Sequence, residues 1–503
     1  MHLTSHNIAS GSDDQSFSFM PAAPGEEQPG GSRRRKLGEV IAQKILSEII
    51  ERGWQAGEVL GTERELLVRY GISRATLREA IRQIERHGAA EMRRGAGGGL
   101  VVSAPAQGAV ERAMSSFFEL TRVSLAEQHE VREHLERTAV HLASERCDET
   151  AADALQSVLA KFDAEPRFEA LITANMEAPV AIAELTGNPS LALFIQTLNT
   201  VTHDIQDYLR REPALLSLHW DFSKQFHKEL VAAILRRDAD EAERLVASEA
   251  QRRLLAMATI ATSQPDPEMK SPVRNSGNGD PKLAESVALA IINDIETANW
   301  EVGYNIGKEA TLQERYSVSR ATLREAIRQV ELHGIVRVKS GVGGGIIIDR
   351  VDTTYTEEVV GTYLDSSGVL PSHLWETQSV LEVLSAERLA ALANEADCEA
   401  LHSALDRIRG ASPENFLFLA SMLHAEIANR AGNRVLALYI RILLRYGLRA
   451  LPPVVESRMP WLVVMHERLV DAICTHDRGS AERAMTLMFE KSRGWVGLRM
   501  REH

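Results

Sequence analysis

At 503 residues the chain is longer than one hydrophobic core supports, and its length implies three or four domains. A composition of 44% hydrophobic and 25% charged residues is ordinary for a globular protein. A net charge of −13, with a pI of about 5.7, excludes indiscriminate coating of nucleic acid but leaves room for a local basic face. Cys147, Cys398 and Cys474 lie far apart and form no C-x-x-C pair, which fits buried thiols in a reducing compartment. No run approaches about 18 consecutive apolar residues, and the N-terminus lacks the basic-then-apolar order of a signal peptide. A cytoplasmic protein without membrane contact is expected.

Residues 1–32 are rich in Ser, Gly, Pro and Asp and read as a disordered tail. A small mixed domain follows over 33–104. Its first helix is predicted from about Leu37 to Arg52, stopping at Gly53. Thr62-x-x-Glu65 is a capping-box pattern that opens a second helix running to about Tyr70. Gly71 makes the turn, and Ser73 is the expected N-cap of a third helix ending near His87-Gly88. On that helix Leu77, Ala80, Ile81 and Ile84 share one face, while Arg74, Arg78 and Arg82 form a stripe on another. Ala89 to Val102 predicts a hairpin around Arg93-Arg94-Gly95-Ala96-Gly97-Gly98-Gly99, a basic glycine loop able to approach a groove closely.

Residues 106–260 carry apolar side chains at helical spacing, with almost no strand signal, and predict an all-α domain. Pro, Gly, Ser and Asn then crowd residues 262–282, a linker. Beyond it the chain repeats itself. Ser73 through Gln83 recurs unchanged as Ser319 through Gln329, and Trp54/Trp300, Tyr70/Tyr316 and His87/His333 keep the same offset of 246 residues. A second small domain is thus predicted over 283–351 and a second all-α domain over 354–498. The copies differ where charge matters. Arg64 is matched by Ala310, and the capping Thr62 by Lys308. Residues 37–102 hold ten basic against nine acidic residues, and 283–348 hold seven against eight. Only the first copy is preceded by the basic run Arg33 to Lys36.

Glu63-Arg64-Glu65-Leu66, then Ser73-Arg74-x-Thr76-Leu77-Arg78-Glu79-Ala80, then a glycine-rich wing, resemble the winged helix of the GntR family. The long α-domains resemble the FadR-type (FCD) sensor domain of that family. The resemblance implies a mainly α fold. Two winged helix-turn-helix domains, each α with a small β-hairpin wing, alternate with two all-α bundles. It implies sequence-specific binding of double-stranded operator DNA through Arg64, Ser73, Arg74, Thr76, Arg78 and Gly97 in the first copy. The second-copy equivalents are Ser319, Arg320, Thr322, Arg324 and Gly343. Guanidinium groups suit that role because they bond guanine O6 and N7 bidentately. The second reader is expected to be the weaker or to prefer another half-site. FadR-type regulators generally dimerise, and with both halves in one chain an intramolecular pseudo-dimer is expected, further homodimerisation remaining open.

The resemblance also implies a metal held by an Asp and a His four residues apart, before a Gly-Asn pair, and by two later histidines. Carried over, both sets are incomplete: Asn175, Pro179, His227 and Glu249 in the first copy, and Ala420, His424, His466 and Met488 in the second. No cofactor is therefore expected. His227, His424 and His466 are read as pocket-lining histidines. Arg132 and Glu136 keep the family's Arg-x-x-x-Glu pattern, which makes Arg132 either a clamp for a small carboxylate effector or one half of a helix-surface ion pair; the second copy has Gln378 and Glu382 instead. The alternative is a regulator without an effector, its helical domains serving only assembly.

Enzyme motifs fail on inspection. His466-Glu467 has no second histidine at metalloprotease spacing. Gly303 to Lys308 has the wrong spacing for a phosphate loop, with Glu309 where a hydroxyl belongs. The Gly95–Gly99 cluster leads into a strand, unlike a dinucleotide-binding turn.

Overall fold

The computed structural model describes residues 37–95, 98–104, 107–162, 168–199, 213–263, 281–341, 344–450, 454 and 456–499. The expected tail, most of the linker, Gly97 and Gly343 lie outside them.

The first small domain comprises α1 (Leu37–Glu51), β1 (Val59–Gly61), α2 (Glu63–Tyr70), α3 (Arg74–Arg86), β2 (Ala90–Arg93) and β3 (Gly99–Val102). The local signals act as read. Thr62 and Glu65 form a reciprocal capping box, and Gly71 ends α2 in the left-handed conformation at φ 62°. Leu77, Ala80, Ile81 and Ile84 of α3 face a core with Ile45, Ile49, Leu66 and Leu100. Burial of that stripe stabilises the domain by about 2 kcal/mol per large side chain. The sheet order is β1-β3-β2, with Ala90 opposite Val102 and Arg93 opposite Gly99. Glycine at position 99 is a steric need: an added Cβ would lie 2.6 Å from the Gly61 carbonyl oxygen.

The first bundle has seven described helices: α4 (Gln107–Leu120), α5 (Leu125–Arg146), α6 (Glu149–Ala160), α7 (Phe168–Leu185), α8 (Pro189–Asn199), α9 (Pro213–Leu235) and α10 (Ala239–Ser263). The second small domain repeats the first as α11 (Pro281–Thr297), β4 (Asn305–Gly307), α12 (Glu309–Tyr316), α13 (Arg320–Leu332), β5 (Val336–Lys339) and β6 (Gly345–Ile348). The second bundle follows as α14 (Thr354–Ser366), α15 (Pro371–Leu392), α16 (Glu395–Arg409), α17 (Pro413–Arg430), α18 (Arg434–Ala450), α19 (Met459–Cys474) and α20 (Arg478–Arg499). Divergence leaves local marks. Lys308 gives α12 no side-chain cap, and Ser317 replaces the turn glycine, held left-handed at φ 54°.

The two bundles share one apolar core. Val131, Leu135 and Phe194 belong to the same buried cluster as Leu381, Tyr439 and Leu443. Phe194 and Tyr439 stack with ring centroids 4.1 Å apart. Around them, equivalent residues make equivalent bonds in opposite directions. Asn188 donates through Nδ2 to the His373 carbonyl (2.9 Å) and the Glu376 carboxylate (3.1 Å). Asn433 donates to the Glu127 carbonyl (3.0 Å) and the Glu130 carboxylate (2.9 Å). Reciprocal pairing of this kind is the mark of an isologous contact. The Gly-Asn turns thus tie bundle to bundle. The second small domain also rests on the first bundle: Leu120 joins its core, and His333 Nε2 lies 3.1 Å from Ser116 Oγ. In the opposite direction, His87 of the first small domain lies 3.0 Å from Glu358 on α14.

The cysteines depart in part from expectation. Cys147 is buried, but Cys398 and Cys474 are partly exposed. Packing of α16 on α19 brings the Cys398 and Cys474 thiols together, and burial, aided by that neighbour, pushes Cys474 up to about 12. No described helix is long and apolar enough to cross a membrane.

Candidate nucleic-acid interface and effector site

On the first small domain the capped start of α3 fixes its N-terminal residues. Ser73 Oγ accepts from the Thr76 N–H at 3.2 Å and lies 2.9 Å from the Thr76 hydroxyl. This anchoring directs Arg74 and Arg78 outward, and both are exposed, as is Arg64 on α2. No hydrogen bond or ion pair engages these three arginines among the described residues. Three exposed, unpaired guanidiniums on the two helices of the helix-turn-helix form a donor set suited to guanine edges and phosphates. Further along the stripe, Arg82 lies 3.5 Å from Glu79.

The second small domain keeps the cap but not the donor set. Ser319 Oγ accepts from the Thr322 N–H at 3.1 Å. Thr322, expected to touch DNA, is only 6% exposed, and its hydroxyl lies 2.8 Å from Ser319 Oγ, the same contact that Thr76 makes with Ser73. Arg320 and Arg324 are exposed, yet their Nε atoms donate to one carboxylate oxygen of Glu309 at 2.7 and 2.8 Å. Those bonds, Arg320 first, hold Glu309 below the usual carboxylate range. Glu63 occupies the matching place in the first copy without such bonds. The wing differs too, since Arg93-Arg94 is matched by Lys339-Ser340.

Within the first bundle, Arg132 is not a surface residue. Its Nε donates to Glu136 Oε1 at 2.6 Å, and Arg253 from α10 donates to Glu136 Oε2 at 2.5 Å. Burial works to raise the Glu136 carboxyl, but the Arg132 and Arg253 guanidiniums outweigh it and hold the group at about 2. Arg253 Nε is buried with no hydrogen-bond partner. Glu249 also acts on both guanidiniums, so the two arginines sit among carboxylates and the unmet feature is the unpaired Arg253 Nε. His227 lies close enough for Glu249, Glu136 and Arg253 to act on it electrostatically, but none of them is its hydrogen-bond partner. It is 3% exposed, stacks on Phe162 at 4.9 Å, bonds to the Ser223 carbonyl at 2.8 Å, and is kept below its ordinary value by burial.

The second bundle does bring its predicted pair together: His424 Nε2 lies 3.1 Å from His466 Nε2. His424 Nδ1 bonds to Glu382, and Gln378 Nε2 donates to the other Glu382 oxygen at 2.6 Å. Burial, then the His424 charge, push His466 down to about 3. The residues do not fit the family's metal. Ala420 and Met488 offer no oxygen or nitrogen, Glu249 of the first bundle is bound to Arg252 at 2.6 Å, and Pro179 has no donor atom. No group of three or more metal-ligating side chains is arranged to hold an ion among the described residues.

A cavity of about 360 Å³ lies where the bundles meet, lined in part by His134, Trp375, Glu376, Glu387, Phe489 and Arg493. Burial raises Glu387 above the usual carboxylate range. Its acidic wall is unsuited to a carboxylate ligand. Sequence reasoning missed Arg253 and Glu309. Glu309 was visible as the match of Glu63, but no sequence signal links Arg253 to a glutamate 117 residues away.

The FCD domain profile matches residues 127–251 and again 373–491, and the profile of bacterial regulatory proteins of the gntR family matches 37–99 and 283–346. The HTH-type transcriptional repressor NanR of Escherichia coli K12 is 26% identical over 244 residues, covering 47% of this chain and 90% of the repressor. NanR of Cronobacter sakazakii is 27% identical over 223 residues, covering 42% and 81%. Among solved structures, a GntR protein of Streptococcus agalactiae is 21% identical with a TM-score of 0.35, over 42% of this chain and 98% of that one. Each relative therefore corresponds in length to one half of the duplicated chain. With two DNA-binding and two FCD domains in tandem, the chain belongs to the GntR family of bacterial regulatory proteins and is a DNA-binding transcription regulator.

Proposed function

We propose that the chain is a cytoplasmic, effector-responsive regulator in which one polypeptide supplies both half-site readers of an operator and the first bundle binds a small carboxylate metabolite. The observation that carries the effector reading is the Arg132–Glu136–Arg253 cluster. A buried donor without a partner is costly, and Arg253 Nε is such a donor, which the oxygen of a bound carboxylate would satisfy. Thermal-shift screening against small organic acids, followed by calorimetry, tests it. The expected result is a carboxylate that stabilises the parent protein and loses at least tenfold in affinity with Arg253→Ala. No response across the panel, at concentrations that saturate related sensors, would favour the assembly-only alternative.

The intramolecular pairing draws support from the shared core and the reciprocal Asn188 and Asn433 bonds. With the two winged helices unequal at Arg64/Ala310, the operator is an imperfect palindrome. Light scattering of the DNA complex, combined with footprinting, should find one chain across both half-sites. Two chains on a symmetric site, each using only its first winged helix, would refute the pairing.

A further inference from the structure

We propose that Glu309 is the specificity-determining residue of the second winged helix, restraining Arg320 and Arg324 so that its half-site is read with little guanine preference. This rests on the assignment of those arginines as base readers.

The chain contains its own control. Glu63 and Glu309 each open the helix before the recognition helix, and Ser73–Gln83 and Ser319–Gln329 are identical. Only the second carboxylate bridges its arginines. Arg320 Nε and Arg324 Nε both donate to Glu309 Oε1, and Arg324 Nη2 donates to Oε2 at 3.3 Å. The flanking residues account for the difference in charge. Where the first copy places Arg64 and Glu65 after the glutamate, the second has Ala310 and Thr311, and the preceding Lys308 makes no ion pair with Glu309 among the described residues.

The chemical consequence follows from guanidinium geometry. Side-on recognition of a guanine O6/N7 edge uses Nε together with one Nη. Both Nε hydrogens are already given to Glu309. The bridge is exposed, with Arg320 at 66% and Arg324 at 59%. Such a pair is weak enough for phosphates to draw on it yet remains a standing competitor for the base edge. The second winged helix therefore anchors on the backbone and discriminates poorly. Without the carboxylate Arg320 and Arg324 would be as free to read bases as Arg74 and Arg78 are, although Ala310 still leaves Arg64 without a counterpart.

The test is selection from a random-sequence duplex library with the full-length parent and with Glu309→Gln. The parent should enrich sites with one sharp half and one degenerate half. Glu309→Gln should sharpen the degenerate half toward guanine. It should also bind a probe carrying two copies of the sharp half about tenfold more tightly, with a salt slope steeper by about 1. Glu63→Gln should change the selected sites far less. Glu309→Asp, one methylene shorter and unable to span both arginines, provides a second variant and should shift the sites in the same direction. An unchanged consensus with unchanged affinity, or weaker binding by both Glu309 variants, would overturn the proposal. Failure of the parent to enrich any sequence would overturn the base-reading assignment beneath it.

Discussion

Replacing Glu136 by glutamine keeps the shape of the side chain and removes the carboxylate that bridges Arg132 and Arg253. Holding the carboxyl at about 2 rather than 4.5 corresponds to about 3 kcal/mol of interaction favouring its charged form, at about 1.4 kcal/mol for each tenfold change in acidity. The side chain is only 7% exposed, so solvent screens little of this. The folded value lies below the ordinary one. The stabilisation is therefore complete above about 4.5 and is lost as pH falls toward about 2. Glu136→Gln should lower the opening free energy of the first bundle by about 3 kcal/mol at pH 7. The gap between parent and variant should close as the pH is stepped down from about 4.5. Urea denaturation with peptide-resolved hydrogen exchange over residues 125–146 reads the opening of the helix that carries Glu136. A gap below about 1 kcal/mol at pH 7, or one that stays constant into acid, would refute a charge-based role for Glu136.

Arg78→Ala should weaken specific DNA binding by about 1–3 kcal/mol, and Arg324→Ala by clearly less. Fluorescence anisotropy on the selected operator decides it, and equal losses would contradict the ranking. Elemental analysis after dialysis should find well under one tightly bound metal per bundle, since neither ligand set is complete; two stoichiometric metals per chain would be inconsistent with that geometry. Ser317→Gly should raise the stability of the second small domain by about 1 kcal/mol by relieving its left-handed turn. A hydrogen-exchange measurement showing no gain would mean that the turn is unstrained.

What the amino-acid sequence determined by itself was whatever short-range physics governs. The duplication is legible by direct comparison. The capping box at Thr62 and Glu65, the Ser73 cap and the Leu77–Ile84 stripe depend on residues within a turn or two of one another, so their positions are readable without a fold. The Arg74 and Arg78 stripe was readable for the same reason. Contacts across long stretches of chain were decided only by tertiary packing. Arg253 reaches Glu136 because α10 lies along α5, and Glu309 reaches Arg320 and Arg324 because the turn after α12 folds that helix back on α13. Burial likewise came from packing: Thr322 and Thr76 are the same residue in identical local sequence, yet Thr322 is sealed and Thr76 remains partly exposed. The reciprocal grip of Asn188 and Asn433 belongs to this second class. The Gly-Asn turns carry no local sign of a partner, and only two apolar bundle faces meeting in one core place that partner within reach of a hydrogen bond.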